Sequence, residues 1–557
     1  MIEMKLKHIA FGLLVCLLTG CDFMNCDESS DYQKEDMFTS YNRTKKMVTH
    51  IYSFLPHGFC NIDGAMHEAA TDDAVHVYGT SNIQRFVDGT WSANRTVDEV
   101  WSKYYEGIRA ANLYLAESEG QTFEEWKYSD QYDKWMQNFE NYQHEVRFLR
   151  AFFYFELAKR YRNIPLVTKV LAVDEANLVE PSSFDDVTDY IVSECAEIAK
   201  KLPIDYSVFA DKEEGRITRG AALALKARVL LYKASPLYSV HDEEKWKKAA
   251  MAAYEIIGQA SALKYKLGDY AALFSATNSA EAENILVRPV GETGSFEEAN
   301  FPMGVKGGKT STCPTENLVS AYEMKEDGSA FDWNDEEMRK NPYANRDPRL
   351  ALTIAYNGMS WPESPLEVWE GGTNALPITN ATLTGYYLKK YVNKDISFES
   401  GAPVSKAHHC WVLFRYGEVL LNYAEAMVNA FGDPTHKEGD LLPMSALEAV
   451  NLIRTRTSVD MPEFPSTISP DEFLKRLKNE RRVELAFEGH RFWDVRRWKE
   501  LDVTKDIYGV SVKKQGNAVT YTKQQIATRV VTDNMYFYPI SNEEIFRNEN
   551  LKQNTGW

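Results

Sequence analysis

Three groups of residues in this chain have types and spacings that could do chemistry. The first is a cysteine behind a short apolar run. Lys5, Lys7 and His8 make a basic start, residues 9–18 are apolar apart from Gly12, and Leu18-Thr19-Gly20-Cys21 closes the run. The apolar stretch is too short to span a bilayer, which takes about 20 residues, and it has the length of a signal-peptide core. Small residues before a cysteine form a bacterial lipoprotein cleavage pattern, in which the Cys21 thiol takes lipid and becomes the first residue of the mature chain. A plain secretory signal is the alternative, and no A-x-A site stands nearby to favour it. Acyl chains at Cys21 would hold the protein to a membrane surface without crossing it.

The second group carries acid–base or metal patterns, and each pattern fails on its spacing. His67-Glu68-Ala69-Ala70-Thr71 lacks the final histidine of a zinc H-E-x-x-H helix. His408-His409-Cys410 places neighbours in sequence where one ion needs them converging. A glycosidase needs two carboxyl groups at a set distance, and among 81 acidic residues no sequence pair is diagnostic. No G-x-S-x-G or phosphate loop occurs, and Gly304 to Lys309 is glycine-rich without the P-loop spacing. Calcium could bridge loop carboxylates, but no EF-hand spacing supports it, so no cofactor is expected. The seven cysteines include no C-x-x-C pair, and Cys195 sits at helical spacing with Ile191 and Ile198, as a core residue would.

The third group is aromatic. A pyranose offers apolar C–H faces and hydroxyl edges, so a receptor for it needs exposed flat rings and nearby Asp, Asn or Arg. Two loop regions supply both. One runs from Asp63 to Asn94 and offers Asp63, Tyr78, Arg85, Trp91 and Asn94; the other offers Trp333, Tyr343, Trp361 and Trp369. The expectation is that these form an open, water-facing cradle, with packing as the competing role of each tryptophan. The net charge of −18 disfavours nucleic acid, whose phosphates need clustered Lys and Arg.

The elements that would position these loops are mostly helices. Apolar residues recur at helical spacing over 36–54, 96–117, 131–161, 183–201, 218–234, 243–259, 413–429, 446–457 and 470–488. Ser182 or Ser183 and Thr218 supply N-caps, and prolines 165, 203 and 236 mark stops. Helix pairs at 36–117, 140–201, 217–260 and 413–457 each approach the length of a tetratricopeptide unit with insertions. Between about 262 and 410, Gly, Pro, Asn and Thr rise and loops with short strands are expected. The fold class is therefore mainly α: a tetratricopeptide-like helical-repeat scaffold of about four helix pairs, with a loop-rich, partly β subdomain packed on it. The tail after Asp502 reads as short strands and turns.

Several ordered blocks resemble the SusD/RagB family of outer-membrane lipoproteins. They are Glu145-Val-Arg-Phe-Leu-Arg-Ala-Phe-Phe-Tyr-Phe-Glu-Leu157 with Ile164-Pro-Leu-Val167, Thr315 to Met324, Asn345-Arg-Asp-Pro-Arg-Leu350, Phe414 to Ala426, Glu480 to Trp498, and Tyr538-Pro-Ile-Ser with Asn550 to Asn554. Asp72 and Asp73 also match a family block and read as loop and helix-capping groups. The resemblance implies five segments: a lipoprotein signal (1–20), a flexible tether (21–35), an N-terminal helical-repeat region (36–261), a loop-rich insert (262–412) and a C-terminal region with the last repeat (413–557). It implies a non-catalytic protein, lipid-anchored in the outer membrane and facing outward. Such a protein captures an oligosaccharide or polysaccharide and delivers it to a SusC-like TonB-dependent transporter. Peptide capture is the other ligand class known in the family. The many Arg and Glu residues of the blocks interleave with Phe and Trp at helical spacing, as buried ion pairs do. Arg346 and Arg349 read as parts of a loop clasp.

Overall fold

The computed structural model describes residues 37–557 apart from 208, 210–212, 214, 276, 277, 279 and 280. The signal (1–20), Cys21 and the tether (21–35) lie outside the described residues. Among those described, no helix is long and apolar enough to cross a membrane.

The scaffold is a run of helices, each packed on the next. They are α1 (Tyr41–Ser53), α2 (Trp101–Glu117), α3 (Tyr132–Tyr161), α4 (Phe184–Ala199), α5 (Arg219–Ala234), α6 (Glu243–Ile257), α7 (Tyr416–Phe431) and α8 (Ala446–Arg454). The α9 helix (Pro470–Glu484) packs back on α7. Stacked pairs of this kind bury faces that one pair could not bury alone. The caps follow the sequence. Ser183 forms a capping box with Asp186 at α4, and the Thr218 hydroxyl accepts the Ala221 N–H at α5. Gly432, with φ of +69°, ends α7 in the left-handed region.

The sequence pattern predicts one apolar face on α3. Instead every residue from Phe148 to Tyr161 is buried. The helix runs through the centre of the body, between α2, α4 and the C-terminal segment, so its charged residues must find partners inside. The helix expected from Thr96 begins only at Trp101, because Asp98 takes φ of +50° and turns its carboxylate inward to Arg160.

The loop-rich half is built on two longer strands. The β2 strand (Asn284–Thr293) pairs antiparallel with β6 (Ala407–Arg415), placing Arg288 opposite Trp411. The short strands β1 (Ala74–His76) and β3 (Thr312–Pro314) join the first insert to this half, and β4 (Ile354–Ala355) pairs with β5 (Tyr387–Leu388). The tail contains a hairpin of β7 (Asp506–Gln515) and β8 (Ala518–Thr528), longer than the short strands expected there. Val510 and Val512 alternate with polar residues along β7, as in a strand with one buried face.

Where the halves meet lies a buried ionic lattice. Arg415 donates to Glu283 and Glu484 and forks onto Glu488, while Arg349 binds Asp347, Glu480 and Glu484. Arg454 bridges Glu323 and Glu480, and Lys390 joins Glu488 at 2.8 Å. These side chains knit α9 to β6 and the loop-rich half.

Candidate functional site

The first insert, between α1 and α2, is clamped from below. Asp72 accepts both arms of Arg491, Asp73 accepts from Arg482, and Arg529 donates to the carbonyls of Ala69, Thr71 and Ala74. This corrects the capping role expected of Asp72 and Asp73. They sit in extended or turn backbone beneath the insert, where the nearest donors are guanidinium groups arriving from the C-terminal region. Between the insert, the N-terminal end of α2 and β2 lies a cleft of about 490 Å³.

The cleft wall is polar. Arg160, from α3, is held by Asp98 at 2.8 Å and by Glu156 at 2.7 Å. Burial alone would raise the Asp98 carboxyl, but Arg160 and His67 overturn that and hold it well below the usual carboxylate range. Glu99 is raised by burial; it accepts the Trp101 N–H at 2.7 Å. His57 is pushed down to about 4 by burial, then by the charges of Arg288 and Lys103. Lys103 is lowered by burial and then by Arg288 and Arg160, and Arg288 is lowered by burial. His57 is thus neutral at pH 7, beside two cations. Behind the cleft a smaller hollow of about 90 Å³ runs in toward Glu68, Lys159 and His490. Gly58 stands at its edge under the Trp411 ring, where a Cβ would collide with the indole.

Of the residues singled out in the sequence, Asp63 lies on the rim of this cleft. It is exposed, and its Oδ2 accepts the Asn82 N–H at 2.9 Å. Tyr78 is half-buried and donates to the Lys309 carbonyl at 2.7 Å, a link between the first insert and the loop-rich half. Arg85 is half-buried on the short helix Gln84–Asp88. Asn94 is exposed and accepts from Asn542 at 2.7 Å. Trp333 is half-buried, with its Nε1–H donated to Glu316 at 2.8 Å. Trp369 is half-buried under Lys514, whose Nζ lies 3.8 Å from a ring centroid.

Two tryptophans cannot serve as sugar platforms. Trp91 is 2% exposed, boxed in by Phe86, Tyr538 and Trp557 at 4.6, 5.3 and 4.5 Å. Trp361 is 4% exposed in the core of the loop-rich half. A sealed ring presents no face to a ligand, so both are packing residues, and the two loops do not close into the single aromatic cradle expected of them. Trp369 instead sits beside the β7–β8 hairpin, with the Glu370 N–H donated to the Val512 carbonyl. A hairpin aromatic that the sequence reading missed is Tyr521, which meets Tyr343 edge-on at 5.5 Å and accepts from Asn357. The signal for it was the Val519–Tyr521 alternation after Gly516-Asn517. The cleft's imidazole and two cations were missed as well, because His57, Lys103 and Arg288 come from three separated segments.

The blocks rich in Arg and Glu are structural in their contacts. Arg147 and Arg150 meet Glu194, Arg228 meets Glu418, Arg481 meets Asp494, and Arg497 meets Glu425. Arg346 donates to the carbonyls of Val319, Tyr322 and Pro342, clasping that loop. His409 pairs with Glu297 at 2.9 Å while His408 is exposed, so the two do not converge. Among the described residues no group of three His, Cys, Asp or Glu side chains is placed to hold a metal ion.

Comparisons with known proteins bear on what this arrangement serves. A family profile described as "SusD family" matches residues 273–557, and one described as "Starch-binding associating with outer membrane" matches residues 22–231. The "SusD-like protein P25" of Formosa agariphila is 22% identical over 543 residues, covering 90% of this chain and 92% of that protein. A SusD-like carbohydrate binding protein from Bacteroides fragilis superposes with a TM-score of 0.76 at 25% identity, covering 93% of this chain and 100% of that one. A laminarin binding SusD-like protein superposes with a TM-score of 0.63 at 22% identity, over 93% of this chain and 99% of that one.

Proposed function

Because the chain belongs to the SusD/RagB family, we propose that it is a non-catalytic glycan-binding protein of the outer membrane, anchored by lipid at Cys21. In this reading it faces outward and passes oligosaccharides to a SusC-like TonB-dependent transporter. The observation that carries the reading is the likeness, over nearly the full length of both chains, to a SusD-like carbohydrate binding protein. The cleft beside Asp63 supports it. Its volume falls within the roughly 300–1,000 Å³ of small-ligand sites, and Asn61, Asn82 and Asp63 stand at its rim to meet hydroxyl groups. Tyr78, Arg85, Asn94, Trp333 and Trp369 keep some exposure and remain candidates for contacts with a longer glycan.

Capture in this scheme uses hydrogen bonds from a rigid wall. The first insert is pinned over its middle, where Arg482 and Arg491 hold Asp73 and Asp72 and the adjoining β1 pairs with β3. A pre-formed wall limits the ordering entropy spent on binding. The test is isothermal titration of the pure protein against a panel of oligosaccharides and peptides, joined to mild-detergent extraction of the outer membrane. Binding of a glycan, and recovery together with a barrel protein, is expected. Binding of peptides alone, or recovery free of any barrel, overturns the reading.

A further inference from the structure

We propose that the cleft receives an acidic sugar, one carrying a uronate carboxylate or a sulfate ester, with the anionic group lodged between Lys103 and Arg288. This rests on the glycan-binding reading above and names the class of glycan. Both side chains line the cleft. Among the described residues neither forms an ion pair. Lys103 lies over the Tyr104 ring at 5.3 Å, and Arg288 donates once, to the Ser53 carbonyl at 3.2 Å.

None of the carboxylates that share the cleft is paired with Lys103 or Arg288. Asp98 is taken by Arg160 and His67, Asp63 by the Asn82 N–H, and Glu99 by the Trp101 N–H and the Tyr161 hydroxyl. The remaining cation, Arg160, is neutralised by Asp98 and Glu156. Facing the hollow without an ion-pair partner are two positive side chains, Lys103 and Arg288, beside a neutral imidazole and the hydrogen-bonded carboxyl groups of Asp63 and Glu99.

Two partly desolvated like charges repel: Lys103, lowered first by burial, is lowered further by Arg288. In a chain whose net charge is −18, no carboxylate among the described residues reaches ion-pair distance of either, and Glu156 and Asp98 favour the charged Lys103 only from farther off. An incoming anion relieves the repulsion. The guanidinium fork matches a carboxylate or sulfate in two parallel hydrogen bonds, and the ammonium adds a point charge. Asn61 donates to Nδ1 of His57 at 3.1 Å, which leaves the Nε2–H of His57 to donate to a sugar oxygen.

The experiment labels the histidine ring carbons with ¹³C and follows His57, assigned through His57→Gln, at pH 7 and low salt. The probes are sodium glucuronate, sodium sulfate and glucose. A saturable His57 shift with one or both anions, none with glucose, and a midpoint weakened at least tenfold in Arg288→Gln and in Lys103→Gln are expected. A sulfate-only response assigns the ester and a glucuronate-only response the carboxylate. Thermal melting of each variant is measured beside the titration; a melt close to the parent's is expected, and it separates lost binding from lost fold. In parallel, mobility is measured in gels containing polygalacturonate, a sulfated galactan, starch or laminarin. Retention by neutral gels that Arg288→Gln leaves intact, with His57 silent to both anions, overturns the acidic-sugar assignment and leaves glycan binding standing. No retention on any gel with His57 silent overturns both. A His57 response without retention on any gel overturns the assignment to a sugar.

Discussion

Replacing Trp91 by alanine separates a packing role from a binding role. The ring is 2% exposed and touches Phe86, Tyr538 and Trp557. Truncating a buried Trp to Ala costs about 3–5 kcal/mol through lost transfer energy and the cavity left behind. Three edge-to-face contacts, each worth about 0.5–1.5 kcal/mol, push toward the upper end. One term opposes them: the buried indole Nε1–H has no hydrogen-bond partner. Deleting an unsatisfied donor returns about 1–3 kcal/mol, which brings the expected net loss to about 2–4 kcal/mol. Urea unfolding followed by near-ultraviolet circular dichroism reads that loss as a lower midpoint, because the C-terminal segment is held over the first insert by this cluster. Glycan affinity, measured below the transition, should stay within about twofold of the parent, a change of about 0.4 kcal/mol, because the sealed ring presents no face to a ligand. An unchanged midpoint with abolished glycan binding would refute the reasoning and put the ring on the ligand.

Three further outcomes follow from the same contacts. Arg415→Met removes the guanidinium shared by Glu283, Glu484 and Glu488; breaking a buried pair from one side costs about 3–5 kcal/mol, and a denaturation midpoint within error of the parent would contradict the lattice account. Acid should destabilise the fold steeply below about pH 4. Burial raises Asp98, Glu480 and Asp494, but their Arg partners hold each below its ordinary value, so the stability they give is present above the unfolded value of about 4 and lost as pH falls through the lower folded values. Glu68 and Glu316, raised by burial, act in the opposite sense only above pH 4, so calorimetry showing a melting temperature flat from pH 4 to pH 2.5 would contradict the assignment. Cys21→Ser should release the protein from the membrane fraction and end labelling by radioactive palmitate; unchanged membrane association would remove the anchor from that residue.

The scaffold was legible because its signals are local. Ser183 with Asp186, Thr218 before an Ala-rich run, and the apolar spacing of 413–429 each mark a helix within a few residues of where it lies. The structural role of the Arg–Glu blocks was legible too, since charges at helical spacing among Phe and Trp need internal partners. The site was not legible. Whether Trp91 faces water depends on Tyr538 and Trp557, hundreds of residues downstream, and nothing near position 91 records that cover. The cleft is likewise assembled from a loop (His57), a helix (Lys103) and a strand (Arg288), each ordinary in its own sequence window. Loop composition drew attention to Asp63, which lies on the cleft rim, but the aromatic pattern overstated stacking, because large rings fill cores as readily as they line binding faces.

The most direct test of the central claim is gel mobility of the pure protein through the polysaccharide panel, with chromatography of each polysaccharide afterwards. The account predicts retardation by at least one glycan, unchanged polymer length after prolonged incubation, and full retention of binding in Trp91→Ala. Shortened chains in the recovered polysaccharide, or free migration through every glycan beside tight binding of a peptide, would contradict it.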